Sequence, residues 1–207
     1  MEPTINCGRI TSMPVSKRDE LHHTYGDYLI WSRTYGDELI DGAAYVREPP
    51  SPSYSHQSIA FELACELRNQ LKGTPWRVCI APLDVRLPKS GEPDDQVDTV
   101  VQPDVFITKD IRKMDSRGMR GPPDWLAEVL SPSTSRYDRA VKIPVYERAG
   151  VSEVWLINPR RCSIAIYRLE NGRYAQPTIL TMSGRTRLTA VPKASVDWDR
   201  IKKTCEF

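Results

Sequence analysis

The sequence lacks the marks of several protein classes. Its apolar runs all fall short of the roughly 20 residues that a transmembrane helix needs, so we expect no membrane partner. The first thirty residues are polar and mixed in charge, which predicts no secretory signal peptide. The five cysteines are an odd number without a CxxC pair, which argues against a zinc site or a disulfide framework. Reduced thiols and a cytoplasmic location are therefore expected.

The sequence also lacks a strong charge of either sign. The 29 lysines and arginines nearly balance the 27 aspartates and glutamates, which leaves a formal net charge of +2. A protein that coats nucleic acid usually carries a larger basic excess, so the balance argues against that class. It does not exclude a nuclease, whose catalytic cleft must itself be acidic.

The length of 207 residues fits one globular domain with short terminal extensions. We expect a flexible arm over 1–20, the domain over 21–190 and a C-terminal extension over 191–207. This length is enough to bury a hydrophobic core without disulfide or metal staples.

Strand and helix patterns alternate along the domain. Asp41-Gly42 between short apolar segments predicts a hairpin, because both central residues of such a turn need positive φ. Apolar side chains at every fourth position from Ile59 to Leu71 predict a helix over about 55–71. A short helix is expected within 21–35, and another over about 135–149 that Gly150 ends. Strands are expected at 76–87, 100–107, 125–130, 154–157, 163–167 and 174–181. This order predicts a mixed α/β fold, with a central mixed β-sheet flanked by α-helices.

Glu128 is the most informative single residue. It lies in the middle of Trp125-Leu126-Ala127-Glu128-Val129-Leu130, a segment that is apolar on both faces, as a covered central strand would be. An ionised carboxylate in that position is costly unless a cation or several hydrogen-bond donors meet it. The alternatives are an ion pair with a core arginine, or an edge strand.

Asp104 repeats this pattern one strand earlier, between Val100-Val101 and Val105-Phe106-Ile107. A Pro-Asp pair is by itself more typical of a turn, and Pro103 cannot donate to a β-ladder. Asp104 becomes a candidate site residue because a second acid, Glu128, lies within the next apolar strand. Two strand carboxylates brought together would form an oxygen-rich site that suits Mg²⁺ or Mn²⁺.

Lys142 lies on the helix that follows the Glu128 strand. Asp138, Lys142 and Tyr146 recur at four-residue spacing, which places them on one helix face. Spacing alone favours a solvated Asp138–Lys142 pair. Pro144 interrupts this helix and leaves the direction of Lys142 open.

The order of these motifs resembles a known family. The motifs are Glu38-Leu39-Ile40-Asp41-Gly42, Ser55-His56-Gln57, Gln102-Pro103-Asp104, Glu128-Val129-Leu130-Ser131-Pro132-Ser133-Thr134, Asp138, Lys142, Tyr146 and Gly150-Val151 with Trp155. Together they resemble the Uma-two family of restriction-endonuclease-like proteins, within the PD-(D/E)XK nuclease superfamily. The resemblance spans about residues 20–185. It implies a restriction-endonuclease-like sheet flanked by helices, a bound divalent metal and hydrolysis of phosphodiester bonds in nucleic acid.

The resemblance also assigns roles. Asp104 and Glu128 would be the metal ligands, for Mg²⁺ or Mn²⁺. The usual superfamily lysine falls at Leu130 here, so Lys142 on the next helix would take its place. Glu38 would assist the metal or orient a water. His56 matches a histidine near the site, although a cap or a hydrogen bond within the core is an equal alternative.

These roles predict a mechanism. The metal, held by Asp104, Glu128 and the carbonyl of Val129, would polarise the phosphate and lower the pKa of a bound water. Lys142 would place positive charge beside the attacking water or the developing phosphorane, oriented by Asp138 and Tyr146.

A basic loop over 109–120 could add phosphate contacts, which position a duplex without reading its sequence. Its candidates are Arg112, Lys113, Arg117 and Arg120. The alternative is a solvated surface loop.

Two other functions fit the same residues. One is an inactive or weakly active nuclease fold that binds nucleic acid or protein, and the other is a phosphoesterase acting on small nucleotides. The substrate expected first is DNA. A homodimer is also expected, because two-fold symmetry readily places two sites on the two strands of a duplex.

Overall fold

The computed structural model describes residues 16–17, 19–31, 37–46, 53–132 and 135–205. The predicted arm over 1–20 and Cys7 therefore lie mostly outside the described residues. In the part that is described, Cys65, Cys79, Cys162 and Cys205 are free thiols, as expected. None of the helices over these ranges is long and apolar enough to cross a membrane.

Two mixed sheets and a two-stranded ribbon contain the strands. The first sheet has the order β1-β3-β2-β6-β5-β9-β8, and the second has the order β13-β12-β11-β10-β7-β4 with β14 also paired to β12. The ribbon joins β15 to β16. The strand bounds are β1 Ser16–Lys17, β2 Glu38–Ile40, β3 Ala43–Val46, β4 Arg77–Ile80, β5 Val85–Arg86, β6 Val100–Val101, β7 Val105–Thr108, β8 Met114–Asp115, β9 Gly118–Arg120, β10 Trp125–Val129, β11 Glu153–Asn158, β12 Ser163–Glu170, β13 Arg173–Tyr174, β14 Thr178–Thr181, β15 Arg185–Arg187 and β16 Ser195–Asp197.

The long helix and the helical segment before Gly150 begin and end close to the predicted residues, whereas the C-terminal helix was not predicted. Ser53 caps the long helix, its hydroxyl accepting from the backbone N–H of His56, and Gly150 ends the later helix with φ of +83°. The helix bounds are α1 Tyr25–Ile30, α2 Tyr54–Gln70, α3 Ser135–Tyr137, α4 Ile143–Ala149 and α5 Trp198–Cys205, with a π-helical turn at Asp138–Lys142 and 3₁₀ turns at Asp94–Gln96, Ile111–Lys113 and Pro159–Arg161.

The second sheet separates two hydrophobic cores. Trp125, Ala127 and Val129 of β10 point to one side, where they pack with α2 and α5. Leu126 and Leu130 point to the other side, towards α4 and the first sheet. Because side chains alternate along a strand, Glu128 faces the same side as Leu126 and Leu130. The predicted central, doubly covered strand is therefore confirmed, since β10 lies between β7 and β11 and is buried throughout.

Several predicted strands are divided in the structure. The segment 76–87 forms β4 and β5 in different sheets, and 100–107 likewise forms β6 and β7. Both crossings occur next to a proline, Pro82 or Pro103, which cannot donate a ladder hydrogen bond. The segment 174–181 also holds parts of two strands, β13 and β14, both paired to β12.

The predicted basic loop over 109–120 is a structured segment. It contains a 3₁₀ turn and then the hairpin of β8 and β9. Gly118 allows this hairpin because its φ is +122° and a Cβ there would lie 2.2 Å from the carbonyl oxygen of Asp84. The hairpin therefore closes against the loop that precedes β5.

The C-terminal segment belongs to the core. Val191, Val196, Trp198 and Ile201 are buried in the cluster that also contains α2. The boundary expected at residue 190 falls inside this packed segment. The indole N–H of Trp198 also donates to the hydroxyl of Thr186, at 3.0 Å.

Trp198→Ala is expected to lower the free energy of unfolding by about 3–5 kcal/mol, because it removes a fully buried aromatic side chain and leaves a cavity. Urea denaturation followed by circular dichroism measures the change. Lys203→Ala, on the exposed face of the same helix, should change stability by about 0.5 kcal/mol or less. Equal effects of the two variants would show that the segment is not part of the core.

Candidate active site

Asp104 lies where the chain passes from the first sheet into the second. The antiparallel register of β7 and β10 pairs Val105 with Ala127, so the next position brings Asp104 opposite Glu128. The backbone of β7 begins only at Val105, and the Oδ2 atom of Asp104 accepts from the N–H of Val129 at 2.7 Å. Opposite positions of an antiparallel pair face the same side of a sheet. The register thus brings the two predicted acids together.

Lys142 ends the π-helical turn Asp138–Lys142. The N–H of Ile143 donates to the carbonyl of Asp138, a bond that spans five residues. This turn directly precedes Pro144, whose ring would clash with the carbonyl of Ala140 in a regular α-helix. π-turns of this kind are frequent at functional sites. The turn gives Lys142 an inward direction that helical spacing alone did not determine.

The ammonium group of Lys142 joins Glu128 to Glu38. Its Nζ atom lies 2.5 Å from Oε1 of Glu128 and 2.9 Å from Oε1 of Glu38. Lys142 is 1% exposed and Asp138 is 3% exposed, so the solvated Asp138–Lys142 pair that spacing favoured is wrong. Glu128 pairs with this lysine on a central strand, which also removes the two alternatives for Glu128.

Glu38 brings the first sheet into the site. Its Oε1 atom also accepts from the backbone N–H of Gln102, at 2.8 Å. Gln102 belongs to the crossing between β6 and β7, so this bond ties Glu38 to the segment that carries Asp104. In this structure Glu38 contacts Lys142 directly, and its predicted part in holding the metal or a water stays a prediction.

His56 orients Asp104. Its Nε2 atom lies 3.1 Å from Oδ2 of Asp104, and both side chains are buried. His56 lies in the first turn of α2, and α2 and α4 pack on opposite faces of β10. This hydrogen bond fits both interpretations of His56, so a direct catalytic role stays a prediction.

Tyr146 contacts the acid more directly than the lysine. Its hydroxyl donates to Oε1 of Glu128 at 2.5 Å, while Nζ of Lys142 lies 5.9 Å from the centre of its ring. Tyr146 thus holds Glu128 through its hydroxyl and lies against Lys142 through its ring, and its role in orienting the lysine stays a prediction. Asp138 is buried beside the same group and adds a further carboxylate.

The electrostatics of the site are dominated by an excess of acid. Burial raises the pKa of Glu128 to about 8, against the lowering effect of Lys142, and the nearby carboxylates add to the rise. Burial lowers the pKa of Lys142, but Glu128 and Glu38 raise it more, so the lysine stays charged. Burial also raises the pKa of Asp104, but the bonds from His56 and Val129 lower it to below its ordinary value.

Four buried carboxylates, from Glu38, Asp104, Glu128 and Asp138, thus surround one buried lysine. Like charges held this close in a low dielectric favour the uptake of a cation or a proton. The site is therefore suited to a positively charged ligand.

The donor set fits a hard divalent cation. The described bonds of Asp104 all use Oδ2 and those of Glu128 all use Oε1, which leaves one oxygen of each carboxylate outside these contacts. Among the described residues no group of three or more His, Cys, Asp or Glu side chains is arranged to hold a metal. Mg²⁺ commonly binds through one or two carboxylates and keeps several waters. Two carboxylates are therefore a sufficient set for Mg²⁺ or Mn²⁺, though not for a closed all-protein cage.

The four candidate phosphate-binding residues of the 109–120 segment already have partners. Arg112 pairs with Asp110 at 2.8 Å and Lys113 donates to the carbonyl of Pro122 at 2.9 Å. Asp94 lies 3.2 Å from Arg120 and 3.9 Å from Arg117. Their positive charge is thus partly neutralised within the protein.

A further buried acid near the site was missed by sequence reasoning. Asp84 accepts from the hydroxyls of Tyr25 and Tyr28, and from the side-chain amide of Gln102 at 2.8 Å. Gln102 thus links Asp84 to Glu38. The signal was present in the sequence, because Asp84 stands between Leu83 and Val85 in an apolar segment, as Asp104 and Glu128 do.

Comparisons with known proteins agree with this architecture. Two strand acids beside a buried lysine, on a mixed α/β fold, form the arrangement implied by the resemblance to restriction-endonuclease-like proteins. The model of the Uma2 family, described as "Putative restriction endonuclease", matches residues 27–198. The chain therefore belongs to the Uma2 family, the one that its motifs resemble, and is nuclease-like.

A solved structure has the same fold. It is described as a "putative nuclease belonging to DUF820" from Anabaena variabilis and is 18% identical to this chain. The alignment covers 88% of this chain and 98% of that chain, with a TM-score of 0.68. The predicted fold class is thus confirmed. A search among curated proteins gave no match.

Proposed function

We propose that the protein is a metal-dependent endonuclease that hydrolyses phosphodiester bonds, with DNA as its substrate. The observation that carries the proposal is the meeting of Asp104 and Glu128 from neighbouring strands, beside a buried lysine and with an excess of negative charge. Membership of the Uma2 family supports the same activity.

Asp104, Glu128 and the carbonyl of Val129 would hold Mg²⁺ or Mn²⁺. The ion, when bound, supplies Lewis acidity towards the phosphate and lowers the pKa of a water. His56 and Tyr146 fix the two carboxylates through the hydrogen bonds described above, so that little reorganisation is needed when a cation binds.

Lys142 supplies positive charge at the same place. Glu38 and Glu128 keep its ammonium group protonated and fixed in position. A preorganised cation in a water-poor site stabilises negative charge that develops in a transition state more strongly than it would in water. Lys142 therefore stabilises the charge that develops on the phosphate, while Glu38 acts through Lys142.

Supercoiled plasmid DNA tests the activity. The proposal predicts nicking and linearisation with Mg²⁺ or Mn²⁺ and none in EDTA. No cleavage of DNA or RNA with either ion would contradict it and would favour a nuclease fold that only binds. Release of phosphate from mononucleotides, without plasmid cleavage, would indicate a small-nucleotide phosphoesterase.

Under this proposal the protein acts in the cytoplasm. It acts as a homodimer, because two-fold symmetry places one site on each strand of a duplex. Light scattering on the purified chain, with and without duplex DNA, measures the oligomeric state. A monomer under both conditions would contradict the dimer and leave the proposed chemistry unchanged.

A further inference from the structure

A pocket lies at the carboxyl ends of the parallel strands β10 and β11. Its volume is about 390 Å³, and Leu130 and Asn158, at these two strand ends, both line it. In open α/β sheets, ligands characteristically bind outside the carboxyl ends of the strands. The polar lining residues are Ser131, Ser135, Arg139, Asn158, Arg160 and Arg161.

The charge of this pocket is positive. Three arginines line it, and no carboxylate is present among its described lining residues. Arg139, Arg160 and Arg161 are exposed, and within the described ranges their guanidinium groups make no ion pair or hydrogen bond. Arg161 contributes only its backbone N–H, to the side chain of Asn158. Three neighbouring cations without a counter-ion are suited to an anion, and guanidinium groups match the oxygen geometry of a phosphate.

The pocket is adjacent to the candidate active site. Leu130 stands two residues after Glu128, a distance of roughly 7 Å along a strand. Arg139 belongs to the π-helical turn that also holds Asp138 and Lys142. Both the strand and the turn therefore connect the pocket directly to the residues of the acidic site.

The 109–120 segment is a weaker candidate for the same role. Four of its cations are engaged by Asp94, Asp110 and the carbonyl of Pro122, as described above. An anion that binds there must compete with these carboxylates. The unpaired arginines of the pocket require no such exchange.

We propose that Arg139, Arg160 and Arg161 bind a backbone phosphate of nucleic acid, next to the phosphate that is cleaved. The proposal rests on the proposed endonuclease function for the identity of the ligand. The pocket, and not the 109–120 segment, is then the main phosphate-binding surface. Binding at the pocket can be measured separately from cleavage at the acidic site.

Two double variants with the same loss of charge test the proposal. Arg160Gln/Arg161Gln removes two cations from the pocket, and Arg112Gln/Arg117Gln removes two exposed cations from the 109–120 segment. Fluorescence anisotropy measures their binding to a labelled 20-base-pair duplex in EDTA across a series of salt concentrations. Thermal melts check the fold, which the exposed positions of these side chains should leave unchanged.

Arg160Gln/Arg161Gln should weaken duplex binding at least about tenfold and reduce the magnitude of the slope of log K against log salt by about 1, the effect of losing one phosphate contact. Arg139Gln should have the same direction with a smaller effect. Arg112Gln/Arg117Gln should stay within about twofold of the wild type. Equal weakening by the two double variants, or a larger effect of Arg112Gln/Arg117Gln, would overturn the proposal, as would a wild-type protein that does not bind the duplex.

AMP, titrated in parallel, separates the two sources of a phosphate group. If Arg160Gln/Arg161Gln weakens AMP binding but not duplex binding, the pocket serves small nucleotides and the proposal fails. If the arginines are needed for duplex binding but the wild type cleaves nothing, the pocket stands and the endonuclease proposal fails. If the wild type cleaves plasmid and Arg160Gln/Arg161Gln binds duplex normally, the pocket proposal alone fails.

Discussion

Glu128→Ala is expected to abolish metal-dependent cleavage of plasmid DNA, with a fall in rate of at least about a thousandfold, the scale seen for an essential electrostatic group. The substitution removes one of the two carboxylates that face each other across β7 and β10. It also removes the shared partner of Lys142 and Tyr146. Initial rates of plasmid nicking at saturating Mn²⁺ measure the effect.

Two further variants separate chemistry from folding. Glu128→Gln keeps the shape of the side chain and a hydrogen-bond acceptor for Tyr146 but loses the negative charge, so it should be as inactive as Glu128→Ala. Glu170→Ala, at the exposed end of β12, should keep the wild-type rate. Activity above about a tenth of the wild type in folded Glu128→Gln would show that the carboxylate charge is not needed.

Lys142→Met is expected to lower the free energy of unfolding by about 3–5 kcal/mol, because breaking a buried ion pair leaves its partners uncompensated. Glu38 and Glu128 would then lie unpaired, among two further buried carboxylates. Urea denaturation in EDTA measures the loss. Addition of Mn²⁺ should restore part of the stability, since a cation that binds only the folded state stabilises it.

Lys89 offers a matched control. It also bridges two carboxylates, Asp41 and Asp98, but it is 54% exposed. Exposed ion pairs contribute about 1 kcal/mol or less, so Lys89→Met should have a small effect. If Lys142→Met and Lys89→Met lower the free energy of unfolding equally, the buried carboxylates do not depend on Lys142 for their stability.

The two acids could be predicted from the sequence because each stands inside an apolar strand. Burial of a carboxylate is costly in any strand of the fold. The apolar neighbours of Asp104 and Glu128 in the sequence were therefore enough to identify them as candidates. Their proximity follows from the pairing of two strands that lie close in the chain. Asp84 carried the same signal, and it proved to be a hydrogen-bonded acid next to the site.

The partners of Lys142 could not be predicted in the same way. Regular spacing placed Asp138, Lys142 and Tyr146 on one face, and all three are buried at the site, but spacing did not show that this face points inward. Glu38 belongs to the other sheet, and contacts between sheets leave no local pattern. The family resemblance supplied both residues where periodicity did not.

The division into two sheets was also hidden. Apolar and β-branched residues continue through 76–87 and 100–107. The pattern is the same before and after each crossing, so it does not show that the chain changes sheet. Pro82 and Pro103 were the local signals of the crossings. The arginine pocket is built from a helical turn and a later 3₁₀ turn, residues about twenty positions apart, so only the folded chain brings them together.

The central claim is that one divalent ion is held between Asp104 and Glu128. A crystal structure of the protein soaked with Mn²⁺, with an anomalous difference map, tests it most directly. The account predicts one Mn²⁺ peak in contact with an oxygen of each carboxylate, at about 2.0–2.3 Å, near the Mg²⁺ range. A well-ordered site with no peak between these two carboxylates, or with Mn²⁺ bound only elsewhere, would contradict it.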